Sequence, residues 1–177
     1  YRQFIRDHFE WAQFVSASKW STNEPEQGKI SYEAADKLLA FCEDNDLKTR
    51  GHSLFSTKEN DAQPWLKTLS GEPLRKAVED RIGSAVNHFK GKCAHWDVND
   101  GMTRGAFFKE RLGDSIRPWM FKRARQLDPG CLLFVNDGNV VAGGKTEAYK
   151  TRIERLIAQG APIDGVGAQC HFRENVS

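Results

Sequence analysis

Chemistry-bearing side chains gather at four places in this chain, each closing an apolar run: His52 after Thr49-Arg50-Gly51, Asn99-Asp100 after Trp96-Asp97-Val98, Asn136-Asp137 after Phe134-Val135, and Gln169 with His171 after Val166-Gly167. Carboxylates, imidazoles and amides are the groups that move protons and hydrogen-bond polar ligands. One position interrupts the set. Gly101, directly after Asp100, has no side chain and can neither give nor take a proton.

The elements that must position these groups alternate along the chain with little linker. The chain opens inside what reads as a helix, and from Tyr32 to Cys42 the residues Ala35, Leu38, Leu39 and Cys42 recur at helical spacing, with Ser31 placed as an N-cap. Lys48 to Phe55 reads as a strand. Pro73 suits a first helical position, and Leu74, Val78, Ile82, Ala85, Val86 and Phe89 form one continuous apolar face. Ala94 to Val98 is the next strand, followed by a helix over Ile116 to Leu127 carrying Ile116, Met120, Ala124 and Leu127 on one side. That helix stops at Asp128-Pro129-Gly130 and gives way to a strand, CLLFVN. Thr146 can cap a helix with the face Tyr149, Ile153, Leu156 and Ile157, ended by Gly160, before a strand over Gly165 to Gln169. Repeated strand-then-helix units predict a parallel sheet with helices outside it, and apolar strands such as LLFV suit a sheet buried on both sides. Periodicity alone leaves a barrel and a doubly wound sheet open. Polar residues at the C-terminal ends of the strands are what the active face of a (β/α)8 barrel presents.

At 177 residues, 39% hydrophobic and 11% aromatic, the chain fits one globular domain over residues 1–177. Lys plus Arg number 26 against 24 Asp plus Glu, and the two signs are interspersed, so the clustered basic footprint of a nucleic-acid binder is absent. No apolar run approaches the roughly 20 residues a membrane helix needs. The first residues, YRQFIRDHFEW, lack the sections of a signal peptide, which leaves compartment undecided. Cys42, Cys93, Cys131 and Cys170 have no metal-ligand spacing, so neither a structural zinc site nor a cofactor is expected. Buried free thiols are the favoured reading. Cys93 and Cys131 each open a strand-like run, and on neighbouring strands they could instead form a disulfide. Asn175-Val176-Ser177 is an N-glycosylation sequon, and His8, His88 and His95 read as surface or packing residues.

Several motifs in fixed order carry a resemblance: KWSTNEPEQGKISYEAADKLLAFC, RGHSLF, QPWL, HFKGKCAHWDVNDGM, the stretch from FFKERLG to FVND, and APIDGVGAQCHF. Through these the chain resembles glycoside hydrolase family 10, the endo-β-1,4-xylanases, and particularly its plant and animal members. The resemblance implies an incomplete (β/α)8 barrel of about five of the eight strands, roughly the second to the sixth, with the first preceding Tyr1. It also implies a polysaccharide ligand and an extracellular setting, and a barrel left open would call for further polypeptide or other protein chains to cover its edges.

Family 10 enzymes cleave xylan with retention, one glutamate serving as acid/base and another as nucleophile across roughly 5 Å. The acid/base glutamate ends a Trp-Asp-Val-x-Asn-Glu run, which in this chain is Trp96-Asp97-Val98-Asn99-Asp100-Gly101. By strand alternation Asp100 should point away from the sugar unless the strand end is irregular, which makes it a weak substitute. The nucleophile ends the family's seventh strand, beyond Ser177. Positions that bind sugar in the family fall on Val15, Ser16, Ser56, Thr57 and Gly138, whereas Lys19, Trp20, His52, Trp65, Gln169 and His171 match and form the expected residual cleft. Each match has a structural alternative: hydrogen bonding in the barrel mouth for the histidines, packing for the tryptophans, and a strand-end tie for Gln169. The resemblance thus implies an inactive xylanase-like module, with an active xylanase completed by polypeptide outside this sequence as the alternative.

Overall fold

The computed structural model describes residues 2–141 and 144–171. Asn175 and its sequon lie outside the described residues. Five parallel strands form one sheet in the order β1-β2-β3-β4-β5: β1 Trp11–Phe14, β2 Lys48–Ser56, β3 His95–Asp100, β4 Leu132–Gly138 and β5 Gly165–Gln169. Parallel neighbours cannot be joined by a tight turn. Helices therefore intervene: α1 Arg2–His8 before β1, α2 Trp20–Asn23 and α3 Glu33–Glu43 before β2, α4 Pro64–Lys67 and α5 Gly71–Phe89 before β3, α6 Phe107–Leu112 and α7 Ile116–Leu127 before β4, and α8 Thr146–Ala158 before β5. The sheet curls into part of a (β/α)8 barrel, as the sequence implies.

Helical periodicity locates the outer layer well. All six residues expected on the apolar face of α5 are buried, and α7 occupies the expected span, with Ile116, Met120 and Ala124 buried. Details at the ends differ. The N-cap of α3 is Tyr32, and Ser31 accepts only a long 3.4 Å bond from the Glu33 N–H. Pro73 stands third in α5, because Ser70 in extended backbone starts the helix two residues earlier. Lys145 precedes α8, and the Thr146 hydroxyl turns back to donate to the Val140 carbonyl (2.8 Å). Leu38 and Ile157, placed on apolar faces by spacing, are exposed at the edges of those faces. Strand β1 has only four residues and no apolar alternation, so spacing does not mark it.

Cys42, Cys93 and Cys131 are buried free thiols, while Cys170 is exposed. Burial raises the Cys93 thiol to about 11 and Cys131 to about 12, which suppresses the reactive thiolate. No disulfide joins them. His8 stacks on Phe4, His88 stacks on Tyr32 and contacts Asp36 (2.7 Å), and His95 is stacked between Trp11 and Phe134, so all three sit in surface or packing roles.

The sheet packs on the helices through Trp96, whose ring lies edge-on to Phe89 of α5 and faces Gly51 across the β2–β3 register. A Cβ on Gly51 would lie 2.4 Å from the Trp96 ring. Overpacking at a fixed aromatic costs about 1–3 kcal/mol. Gly51→Ala is accordingly expected to destabilise the protein by that amount, seen as a lower urea midpoint at unchanged slope; an unchanged midpoint would show that Trp96 can move aside.

Candidate functional site

Alternation along β3 sends Trp96 outward to the helices and Asp97 to the concave face of the sheet. Asp97 is fully buried, and a carboxylate there survives only if donors surround it. Three other strands supply them. Gln13 of β1 donates at 3.2 Å, Arg50 of β2 donates through Nε (3.1 Å) and Nη2, and Asn136 of β4 donates at 2.8 Å. His52 Nδ1 of β2 lies 2.8 Å away. Burial raises the Asp97 carboxyl, but the hydrogen bonds from His52 and Arg50, the Arg50 charge and Asn136 outweigh it, leaving the group below the ordinary carboxylate value.

A second tier lies at the C-terminal ends of the strands. Asp100 is the last residue of β3, and the strand is not regular: its register against β4 shifts between Asp97 and Asn99. This shift is the irregularity under which simple alternation no longer sets the direction of Asp100. Its carboxylate accepts a 2.7 Å bond from Gln169 Nε2 of β5 and meets Arg104 Nη2 at 3.5 Å. Asn99 takes the outward direction instead, its amide reaching Met120 Sδ of α7 (3.4 Å). Arg104 also donates through Nε to Asp137 (2.9 Å), whose other oxygen accepts from the Thr103 N–H (2.6 Å). Burial raises the Asp100 carboxyl above its ordinary value, with Asp137 adding to the shift against the pull of His52, Arg104 and Lys58.

Gly101 follows with φ +82°, in the left-handed region. Its N–H donates to the Asn136 carbonyl (2.9 Å), and its own carbonyl accepts from the Thr57 hydroxyl (2.6 Å) and the Arg104 N–H (2.8 Å). A Cβ there would meet Arg104, Thr57 and Lys58 at 3.5–3.6 Å, so the obstacle to a side chain is backbone conformation, at about 1–2 kcal/mol, more than space. At Gly138 a side chain would make its neighbours shift. A Cβ there would lie 2.9 Å from Gln169 Oε1 and 3.2 Å from the Arg104 guanidinium.

The expected cleft residues divide into groups. His52 joins the Asp97 hub and Gln169 joins the Asp100 tier. Trp20 is buried, its indole N–H bonded to Glu24 Oε2 (2.7 Å), and it packs against Phe55, Trp65 and Phe108. Trp65 is half-buried beside it and donates to the Glu24 carbonyl (3.2 Å). Lys19 is half-buried at a surface hollow with Asp61 and Gln63, and His171 is exposed just beyond β5. Val15 is exposed, Ser56 donates to Asp61 (2.6 Å), and Thr57 is buried against Gly101. Gln13, Arg50 and Arg104 were missed in the sequence. A charged residue within the otherwise buried strand RGHSLF was the available signal for Arg50, since such a residue needs a buried partner. Among the described residues no cluster of His, Cys, Asp and Glu could hold a metal, and no helix is long and apolar enough to cross a membrane.

Comparison with known proteins agrees with this architecture. The sequence profile of Glycosyl hydrolase family 10 matches residues 1–177. The Anti-sigma-I factor RsgI6 of Acetivibrio thermocellus is 47% identical over 99% of this chain and 23% of its own length. Endo-1,4-beta-xylanase 1 of Arabidopsis thaliana is 41% identical over 96% of this chain and 18% of its own length. The crystal structure of xylanase 10B from Thermotoga petrophila with xylobiose superposes with a TM-score of 0.84 at 28% identity, over 97% of this chain and 54% of that one. The chain thus spans about a fifth of these curated relatives and about half of the solved xylanase.

The two aspartates have opposite pH signatures. Asp97, with a folded pKa below its unfolded value of about 3.9, stabilises the fold fully above that pH, and the contribution is lost as pH falls through the folded value. Asp100, raised, costs stability when ionised and recovers it as pH falls through its folded value. Asp97→Asn turns an acceptor into a donor facing other donors and is expected to cost about 3–5 kcal/mol at neutral pH while flattening the acid limb of the stability profile. Asp100→Asn is expected to gain stability, relative to the parent, as pH rises from 4 to 7. Denaturant titrations across that range check both; parallel profiles would refute the assignment.

Proposed function

The chain belongs to glycosyl hydrolase family 10, and from that premise we propose that it is a catalytically inactive xylanase-like module that serves in interaction and holds xylan-type polysaccharide weakly. The observation that carries this reading is Gly101. Retaining hydrolysis needs a carboxyl on the leaving-group side of the bond. The family's motif puts that carboxyl at position 101, where this chain has a glycine in left-handed backbone. Asp100 is a poor replacement, since the residue is 4% exposed and its carboxylate is already engaged by Gln169 and Arg104. A donor displaced and fixed in this way loses the alignment that proton transfer demands.

Polysaccharide is the ligand class favoured by kinship with endo-1,4-beta-xylanases and by likeness to a xylanase solved with xylobiose. On the concave face half-buried Gln169 supplies a hydrogen-bonding group for such a ligand, while His52 and Asn136 are buried behind it and bonded to Asp97. An extracellular setting accords with a polysaccharide ligand. A relative named as an anti-sigma-I factor, and not as a hydrolase, carries a similar segment over about a quarter of its length, which supports use of this fold as a module. Protein partners that cover the sheet edges at β1 and β5 belong to the same proposal. The second reading is an active xylanase completed by polypeptide outside this sequence, favoured by the 41% identity to a plant enzyme of that name.

Reducing-sugar release from xylan separates the two readings. The protein is expected to stay at background, and Gly101→Glu alone is expected to remain there, because the new side chain starts from left-handed backbone beside Arg104. Turnover by the parent protein would sink the inactive reading. Calorimetric titration with xylo-oligosaccharides is expected to show weak saturable binding that Gln169→Ala reduces; no heat at millimolar ligand would leave a scaffold without glycan recognition.

A further inference from the structure

Away from the concave face, α6, α7 and α8 enclose a pocket of about 50 Å³ lined by Lys109, Asp114, Arg117, Arg152 and Arg155. Four cations thus surround one carboxylate. Asp114 is already taken, by Lys109 at 3.0 Å and by Arg155. Arg117 is 6% exposed, donates from Nη2 to the Gly105 carbonyl (2.9 Å), and leaves its buried Nε without any partner. Arg152 makes no ion pair among the described residues, yet its charge bears unfavourably on Arg117. Arg117 thus shares the pocket lining with a second guanidinium, and although Asp114 and Asp137 attract it from nearby, neither pairs with it directly among the described residues, so its buried Nε is left for an incoming oxyanion.

We propose that this pocket binds a small oxyanion, clamped between the guanidinium groups of Arg117 and Arg152. Planar guanidinium forks pair with carboxylate, phosphate or sulfate oxygens through two parallel bonds, which suits two arginines meeting across a small space. Size supports a headgroup: at about 10–15 Å³ for each water-sized volume, the pocket holds a few heavy atoms and no sugar ring. The shared chemistry is therefore an oxyanion headgroup, arriving either as a free ion such as phosphate or as the carboxylate of an acidic sugar. Lys109 and Arg155 at the rim add long-range attraction.

Thermal unfolding and calorimetry of the protein at fixed ionic strength test this. Inorganic phosphate is expected to raise Tm saturably, by the mass-action dependence of a ligand that binds only the folded state, while chloride at equal ionic strength does not. Arg152→Ala, at a half-exposed position, should weaken phosphate binding at least tenfold and should raise the Tm of the ion-free protein by removing the like charge. Asp114→Asn removes the competing carboxylate and should tighten binding. Glucuronate displacing phosphate assigns the acidic-sugar source, and phosphate binding alone assigns the free ion. Equal stabilisation by chloride, phosphate binding indifferent to both substitutions, or no binding of either probe overturns the proposal.

Discussion

The structure depends on one buried carboxylate. Asp97 sits at zero exposure near the middle of the sheet and gathers polar hydrogens from β1, β2 and β4. Each bond is modest in net terms, but the alternative is a buried ion with unpaired donors around it, which costs several kcal/mol. The hub therefore penalises any slip in register, because a shift of one residue would send Arg50, His52 or Asn136 to the opposite face. It also dictates its neighbours. Gly167 of β5 stands where a Cβ would lie 2.6 Å from Arg50 Nη2 and 3.0 Å from Asn136, so the strand beside the hub has to be bare there.

Above this hub the strand ends have a different character. Gly101, Gly138 and Arg104 form one arrangement. With no side chain at 138, the Arg104 guanidinium occupies the room beside Gln169 and bridges Asp100 and Asp137. Gly138 and Arg104, far apart along the sequence, are coupled in space, since a side chain at 138 would press on the Arg104 guanidinium and the Gln169 amide and make them shift. The hub ties the strands together through the interior, while the tier above sits at the strand ends, which in (β/α)8 folds vary without disturbing the sheet.

Much of this was legible in the sequence, and the limits were physical. Long amphipathic segments such as α5 and α7 declared themselves through spacing, and strands β2 to β5 through apolar runs ended by polar residues. Strand β1, with Trp11 and Phe14 split by Ala12 and Gln13, is too short for periodicity to mark, although Gln13 contributes to the hub. Helix starts were displaced because Ser31, Ser70, Pro73 and Thr146 are all acceptable near an N-terminus, and local chemistry does not rank them. The direction of Asp100 is not fixed by sequence because alternation holds only for a regular strand, and the register shift at Asp97–Asn99 depends on how β3 meets β4. The roles of Arg50 and Arg104 depend on partners 47 and 33 residues away, beyond any local pattern.

The loop that follows β3 connects these levels. Its Gly101 is fixed by Asn136 and Thr57, its Arg104 by Asp100 and Asp137, and its Gly105 carbonyl by Arg117 from α7. Four elements thus hold five residues in one conformation. In that conformation position 101 is left-handed and Arg104 bridges Asp100 and Asp137, the two residues being linked through the Arg104 N–H to the Gly101 carbonyl (2.8 Å). Return of an acidic side chain at 101 would meet ordinary contacts with Arg104, Thr57 and Lys58 but would have to adopt left-handed backbone, at about 1–2 kcal/mol. The backbone conformation at position 101 is thus a property of the loop as well as of the residue, held by Asn136 and Thr57 at one end and by Arg117 at the other.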